Sequence, residues 1–144
     1  MDACLMTAKE RLATENHTLV VCRGDVVRCF DQRGVADLYA LLHNEPELLR
    51  GASVADKVVG RAAAALMIAG GVRALHTGVV SRLALDLFTQ SPVEVYYDVV
   101  VEHVINRTQT DWCPLERRCA DAQTVEECLE RIDRFMEELR KHEF

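Results

Sequence analysis

The 144-residue sequence lacks the features of several large protein classes. Its longest apolar stretch, residues 58–72, contains Arg61 and is too short to span a bilayer, so we expect no membrane association. Acidic residues outnumber basic ones by 23 to 17, and a net charge of −6 argues against general nucleic-acid binding. The N-terminal segment has no basic region followed by an apolar core, so we expect a cytoplasmic protein with reduced thiols.

Metal-ligand patterns and linker sequences are scarce as well. The six cysteines form no Cys-x-x-Cys pair, and the five histidines show no ligand spacing, so we expect no metal site. There is no internal repeat, low-complexity tract or stretch typical of a linker. We therefore expect residues 1–144 to form a single domain with its own core.

The patterns that are present predict short strands alternating with helices. Two β-branched runs joined by Gly24-Asp25 predict a hairpin, since glycine tolerates the positive φ of a tight turn. In order we predict helix 1–16, strands 18–23 and 26–30, helix 35–43, a central helix from 53 to 69, strand 72–76, helix 81–89, strand 93–101, a loop over 106–114 and an amphipathic helix at about 124–142. This order implies a three-layer α/β domain with a mixed sheet.

The central helix is predicted from its ends and from its composition. Ser53 stands three residues before Asp56 ahead of an apolar run, which is the spacing of a capping box. The alanine-rich run 62–65 favours helix, and Gly70-Gly71 is a suitable stop. Thr77-Gly78 then marks the end of the following strand. We expect Thr77 and Gly78 to lie beside the start of the helix, at an edge of the kind where ligands bind in open α/β sheets.

The element order resembles the cytidine-deaminase-like fold, and the whole chain resembles a small prokaryotic family of unknown function with that fold. The landmarks are Asp56-Lys57-Val58-Val59-Gly60-Arg61, the Thr77-Gly78 strand end and Cys113-Pro114-Leu115-Glu116. The resemblance covers roughly residues 15–120. It implies a three-layer α/β/α domain with a mixed sheet and a nucleoside-sized cleft.

Carried over to this chain, the zinc signature of the deaminases is missing. The metal-ligand position falls on Asp56, and the position of the glutamate acid/base falls on Val58. The two cysteine positions fall near Ser81 and Ala84. Because a catalytic zinc needs three protein ligands and an activated water, we expect a zinc-free cleft that deaminates neither cytidine nor adenosine.

The remaining polar groups suggest a nucleotide-type ligand, held through its ribose and phosphate. A lysine in the first turn of a helix opposes the macrodipole, which an anion would offset, and Arg61 follows one turn later. Asp56 is either a helix cap or a ligand contact, and Cys113 is either a structural thiol or part of the cleft. The candidate ligand-binding residues are Asp56, Lys57, Arg61, Thr77 and Gly78, closed by Cys113 and Glu116.

Two alternatives belong to other classes. The chain could be a catalytically silent module for self-association or partner binding, given the long apolar-faced C-terminal helix and the absent catalytic signature. It could also be a zinc-independent transferase or hydrolase with Cys113 as nucleophile, although no base is evident for it. A homo-oligomer is compatible with either alternative.

Overall fold

The computed structural model describes residues 2–32, 34–106 and 108–142. The helices are α1 (Ala3–Glu15), α2 (Ala36–Asn44), α3 (Pro46–Leu49), α4 (Arg61–Gly70), α5 (Arg82–Phe88), α6 (Pro114–Cys119) and α7 (Val125–His142). The strands are β1 (Leu19–Arg23), β2 (Val26–Phe30), β3 (Ser53–Val59), β4 (Ala74–Ser81) and β5 (Glu94–Val101). In the described ranges, no helix is long and apolar enough to cross a bilayer.

The five strands form one mixed sheet in the order β2-β1-β3-β4-β5. The predicted hairpin is confirmed: β1 and β2 pair antiparallel, with Leu19 opposite Phe30. β1 also pairs antiparallel with β3, whereas β3, β4 and β5 are parallel to one another. The α/β class and the mixed sheet that the sequence predicts are both confirmed.

The two faces of the sheet bury two separate cores. On one face α1 packs Ala8 and Leu12 against Val20, Cys22 and Ala55. On the other face α4 forms the centre of a larger core that also includes α2, α5, α6 and α7. Alternate residues of β1 serve the two cores, because side chains along a strand point to opposite faces.

The predicted start of the central helix is wrong. Residues from Ser53 to Val59 form strand β3, and the helix begins only at Arg61. Ser53 is fully buried in the sheet and caps no helix. The capping-box spacing of Ser53 and Asp56 is therefore coincidental. A strand between two neighbours gains pairing on both sides, and that tertiary gain outweighs a local helix signal.

The strands β3 and β4 change the face they present to the core near their middle. Val54 and Val59 both lie in the larger core although they are five residues apart, a spacing that strict alternation does not give. Leu75 and Val80 repeat this spacing on β4. The predicted end of β4 at residue 76 is accordingly wrong, since β4 runs on to residue 81. On β3 the change leaves residues 56–58 accessible between buried neighbours.

The later helices agree more closely with the sequence. α5 begins after Ser81, whose hydroxyl accepts a hydrogen bond from the Ala84 amide at 3.1 Å. At the start of α7 the Thr124 hydroxyl accepts from the Glu127 amide at 3.1 Å, and the helix covers the residues that the sequence predicts. Helix α6, which follows the predicted loop over 106–114, was not predicted.

Candidate ligand-binding cleft

A cleft of about 620 Å³ opens at the end of β3. Its walls are the start of α4, the segment 104–106, α6 and the C-terminal half of α7. Most of the lining is apolar, and the side chains that matter below include Val58, Ala63, Val104, Leu115, Phe135 and Met136. Of the seven sequence candidates, the lining includes Asp56, Lys57, Cys113 and Glu116.

Asp56 is a half-buried carboxylate on a strand rather than a helix cap. Burial raises its pKa to about 7, and the negative charge of Asp37 acts in the same direction. The backbone amides of Val58 and Lys57 stabilise the charged form and oppose that rise. A carboxyl group that titrates near neutrality in an apolar cleft can accept or donate a hydrogen bond.

Glu116 is also in the cleft, but its carboxylate is fully engaged by the backbone. The side chain is 2% exposed, and Oε1 accepts from the Arg61 amide at 2.7 Å. Its other oxygen, Oε2, accepts from the Val104 amide at 2.8 Å. Glu116 thus supplies, from α6, the cap that the N-terminus of α4 lacks locally, because Gly60 has no side chain.

Gly60 is required by this arrangement. A Cβ at residue 60 would lie 2.9 Å from Glu116 Oε1 and 3.1 Å from Val104 Cγ2. The absence of a side chain therefore lets the carboxylate approach the first amide of α4. The cleft wall and the helix start are fixed by the same three residues.

Lys57 is exposed at the mouth of the cleft. Its Nζ donates to Asn16 Oδ1 at 2.9 Å. Because Lys57 belongs to β3, it does not oppose a helix dipole, and that argument for an anionic ligand is wrong. Its position beside Asp56 still places an ammonium group next to the opening.

Arg61 does not face the cleft, contrary to the sequence prediction. Its side chain is 8% exposed, and Nε donates to the Ala122 carbonyl at 3.1 Å. Nη1 donates to the Leu83 carbonyl, and Nη2 to that of Ala122. Arg61 therefore joins α5 and the segment before α7 to the start of α4. It does not share a face with Lys57.

Thr77 and Gly78 lie next to Asp56 but outside the cleft. Thr77 pairs with Asp56 across the parallel strands β3 and β4. The two residues are therefore close together, as predicted, but they are neighbours in a sheet and not at the start of a helix. The Thr77 hydroxyl is buried and donates to the Val79 carbonyl at 3.0 Å. A Cβ at residue 78 would lie 3.3 Å from the Lys57 carbonyl oxygen. Both residues therefore serve the packing of the sheet.

Cys113 lines the cleft as the residue before α6. Its amide donates to the Val104 carbonyl at 2.8 Å, which holds the segment against the cleft wall. Among the described residues, the Cys113 thiol has no hydrogen-bond partner that could serve as a base. Both Glu116 oxygens are already occupied by backbone amides. The arrangement therefore offers no activated thiol.

The apolar residues of the cleft were missed in the sequence. Phe135, Met136 and Leu139 of α7 line it, whereas in the sequence the apolar face of this helix supports the self-association or partner-binding alternative. The signal that could have revealed them is the length of the apolar stripe on α7. Full burial on this helix ends at Ile132, whereas the stripe continues to Leu139. Trp112, by contrast, stacks on His103 with ring centroids 4.0 Å apart and is not among the cleft residues.

The fold and the cleft define an α/β protein with a largely apolar site at the strand ends and no recognisable catalytic set among the described residues. Residues 7–136 match the family described as "Domain of unknown function (DUF1893)", and the chain belongs to that family. The crystal structure of a DUF1893 family protein (TM1506) from Thermotoga maritima is similar, with a TM-score of 0.83. The likeness covers 92% of this chain and 90% of that one at 22% identity, which shows the fold alone. No match was found among the curated proteins.

Proposed function

We propose that the protein binds a small nucleotide-type ligand, with its base in the apolar cleft and its ribose and any phosphate at the mouth. The single observation that carries the proposal is the half-buried Asp56 carboxyl group in a cleft of about 620 Å³ with mostly apolar walls. Sites for small molecules combine such walls with one or two oriented polar groups.

A nucleobase matches this combination. Its flat ring can pack between Val58, Leu115 and Phe135, and its ring N–H or amino group can donate to Asp56. A hydrogen bond to a charged group contributes about 1.5–3 kcal/mol. Since the pKa of Asp56 is raised to about 7, its protonated form can also donate to a ring nitrogen.

A phosphate has no place at the start of α4, because the Glu116 carboxylate already accepts from the first amide there. Among the described residues that line the cleft, the cation is Lys57, at the mouth. We therefore expect the base to contribute more to affinity than the phosphate. This part of the proposal departs from the ribose- and phosphate-centred site that the sequence suggests.

The deaminase-like three-layer arrangement, the zinc-free cleft and a cytoplasmic location belong to the same proposal. The order of helices and strands supports the first of these. The second is supported by Val58, which lines the cleft at the position where the resemblance requires an acid/base glutamate. A deaminase-like arrangement with a zinc-free cleft does not imply deaminase activity.

The test is calorimetric titration with a panel of free bases, nucleosides and mononucleotides. Val58, which is 46% exposed, can be replaced by Trp to fill the cleft without disturbing a core. We expect Val58→Trp to abolish binding and Asp56→Asn to weaken it by about tenfold or more. Lys57→Ala should weaken only the phosphorylated ligands, by a few-fold. Lys9→Ala, on the exposed side of α1, is the control that should bind like the wild type.

Two outcomes would overturn the proposal. One is that the wild type binds no member of the panel. The other is that Val58→Trp binds as tightly as the wild type, which would place the site elsewhere. The melting temperature of each variant distinguishes a lost site from a lost fold.

A second candidate function, self-association, is favoured by the exposed edge strand β5. Tyr97 and Val99 are 46% and 51% exposed there, and β5 pairs with β4 on one side only in the described sheet. A free strand edge with apolar side chains is a template for pairing with another chain. Sedimentation of the wild type and of Val99→Lys tests this alternative: a dimer that the variant dissociates would support it, and a monomeric wild type would contradict it.

A further inference from the structure

A second cluster of reactive side chains lies on the α1 side of the sheet. Glu15 ends α1, His17 follows it, and Cys29 lies near the end of β2. One ligand atom from each of these residues lies within 4.8 Å of the other two. Cys29 packs against the smaller core and is half-buried, so its thiol is held in place and not free in solvent.

The two nitrogens of His17 have different partners. Nδ1 lies 2.7 Å from Asp31 Oδ1, and Nε2 lies 3.0 Å from Glu15 Oε1. Both contacts end on carboxylate oxygens, which accept, so each ring nitrogen donates an N–H. When a metal takes the place of the Nε2 proton, Nδ1–H still donates to Asp31 and the Nε2 lone pair can bind the metal. Ligand histidines in metalloproteins are held in this way, with the second ring nitrogen donating to a carboxylate. The Glu15 carboxylate can still contact Arg11 through Oε2, at 3.5 Å from Nε.

We propose that Glu15, His17 and Cys29 bind a divalent ion of the zinc type, with Asp31 positioning the His17 ring. Sulfur, nitrogen and oxygen donors together favour zinc or cobalt over magnesium or calcium, which prefer oxygen alone. Tetrahedral bonds of 2.0–2.3 Å place neighbouring ligand atoms about 3.3–3.6 Å apart, so the side chains need only close slightly. Three protein ligands leave a fourth position for water.

This site is independent of the ligand-binding cleft and revises the expectation of a chain without metal. Sequence spacing did not reveal it, because Cys29 is twelve residues beyond His17. The hairpin brings the two together: the strand β1 that follows His17 pairs antiparallel with β2, which carries Cys29. Only that register places a thiol beside the end of α1.

The test is titration of the chelator-treated full-length protein with Co²⁺, followed by displacement with Zn²⁺. We expect one equivalent of cobalt, with a thiolate-to-metal charge-transfer absorption in the near ultraviolet. Cys29→Ser should remove that absorption, and His17→Gln should weaken binding by a hundredfold or more. Asp31→Ala should weaken it about 10–100-fold while keeping the absorption, as expected for a positioning residue.

The matched control is Cys4→Ser. The thiols of Cys4 and Cys22 lie 2.7 Å apart and form the competing thiol pair on this side of the sheet. The proposal is overturned if the wild type binds no stoichiometric metal, if the absorption survives Cys29→Ser, or if Cys4→Ser removes it. Glu15→Gln is a variant that should fold normally, because Glu15 lies at an exposed helix end. This variant should keep both the fold and the absorption with about tenfold weaker binding, and unchanged affinity would remove Glu15 from the ligand set.

Discussion

Asp56 and Glu116 are two carboxylates of one cleft with opposite surroundings. Both oxygens of Glu116 accept backbone hydrogen bonds, one from the N-terminus of α4 and one from Val104. Asp56 lies on a strand, where burial raises its pKa to about 7. A satisfied carboxylate stabilises the fold, whereas a desolvated one costs free energy that a ligand can recover. The contrast separates a structural acid from a candidate functional one.

The largest expected effect is the loss of the structural acid. Glu116→Ala leaves the Arg61 and Val104 amides without their acceptor in the protein, at about 1–3 kcal/mol each. We expect the free energy of unfolding in urea to fall by about 2–6 kcal/mol in total. Glu102→Ala, an exposed carboxylate paired with Arg82, is the control and should change it by less than about 0.5 kcal/mol. A loss below about 1 kcal/mol for Glu116→Ala would contradict the assigned role.

An intermediate effect is expected from Asp56→Asn, and it should depend on pH. Because the folded-state pKa of Asp56 lies above its ordinary value of 3.8, the folded protein holds a proton that the unfolded chain has released. The stability contributed by Asp56 is therefore full below pH about 4 and is lost as the pH rises to about 7. Because Asn does not titrate, the free energy of unfolding of Asp56→Asn should rise relative to that of the wild type as the pH increases across this range.

The size of that gain follows from the shift in pKa. The folded-state pKa of Asp56 lies about three pH units above its ordinary value, which corresponds to at most about 4 kcal/mol in the free energy of unfolding. Because a half-buried group retains some hydration, we expect a gain of about 1–3 kcal/mol. Urea unfolding of both proteins between pH 4 and pH 8 measures it. A difference between the two proteins that stays constant with pH would show that Asp56 titrates normally, and the contrast with Glu116 would then disappear.

The smallest effect on stability is expected at Lys57. Its hydrogen bond to Asn16 lies at the surface, and exposed contacts of this kind contribute little. Lys57→Ala should change the free energy of unfolding by less than about 0.5 kcal/mol, measured in urea at neutral pH. A loss of 2 kcal/mol or more would make Lys57 a structural residue, in which case the proposed role at the mouth of the cleft would lose its basis.

The sequence predicted the elements that local chemistry controls. The hairpin follows from Gly24-Asp25 between two β-branched runs, and the start of α7 follows from Thr124 and Glu127. The strand β3 was missed because its capping-box spacing is a local signal that two neighbouring strands override. A single helix was therefore predicted where a strand and a shorter helix occur.

The candidate site was predictable only in part, for the same reason. Asp56, Lys57, Cys113 and Glu116 do meet at one cleft, whereas Arg61 points away into a network of carbonyl groups. Which direction a side chain takes depends on the acceptors around it, and those belong to segments distant in the chain. The same holds for the apolar wall from α7, whose residues belong in the sequence to one apolar face of a long helix, with nothing to assign part of that face to a cleft.

By itself, then, the sequence determined the α/β class, the hairpin and the amphipathic C-terminal helix, because periodicity, turn chemistry and caps act over a few residues. Only the tertiary structure decided the start of α4, the surroundings of the two carboxylates and the meeting of Glu15, His17 and Cys29. Burial, hydrogen-bond partners and strand register set those features. All three depend on residues that lie far apart in the chain and become neighbours only when the sheet forms.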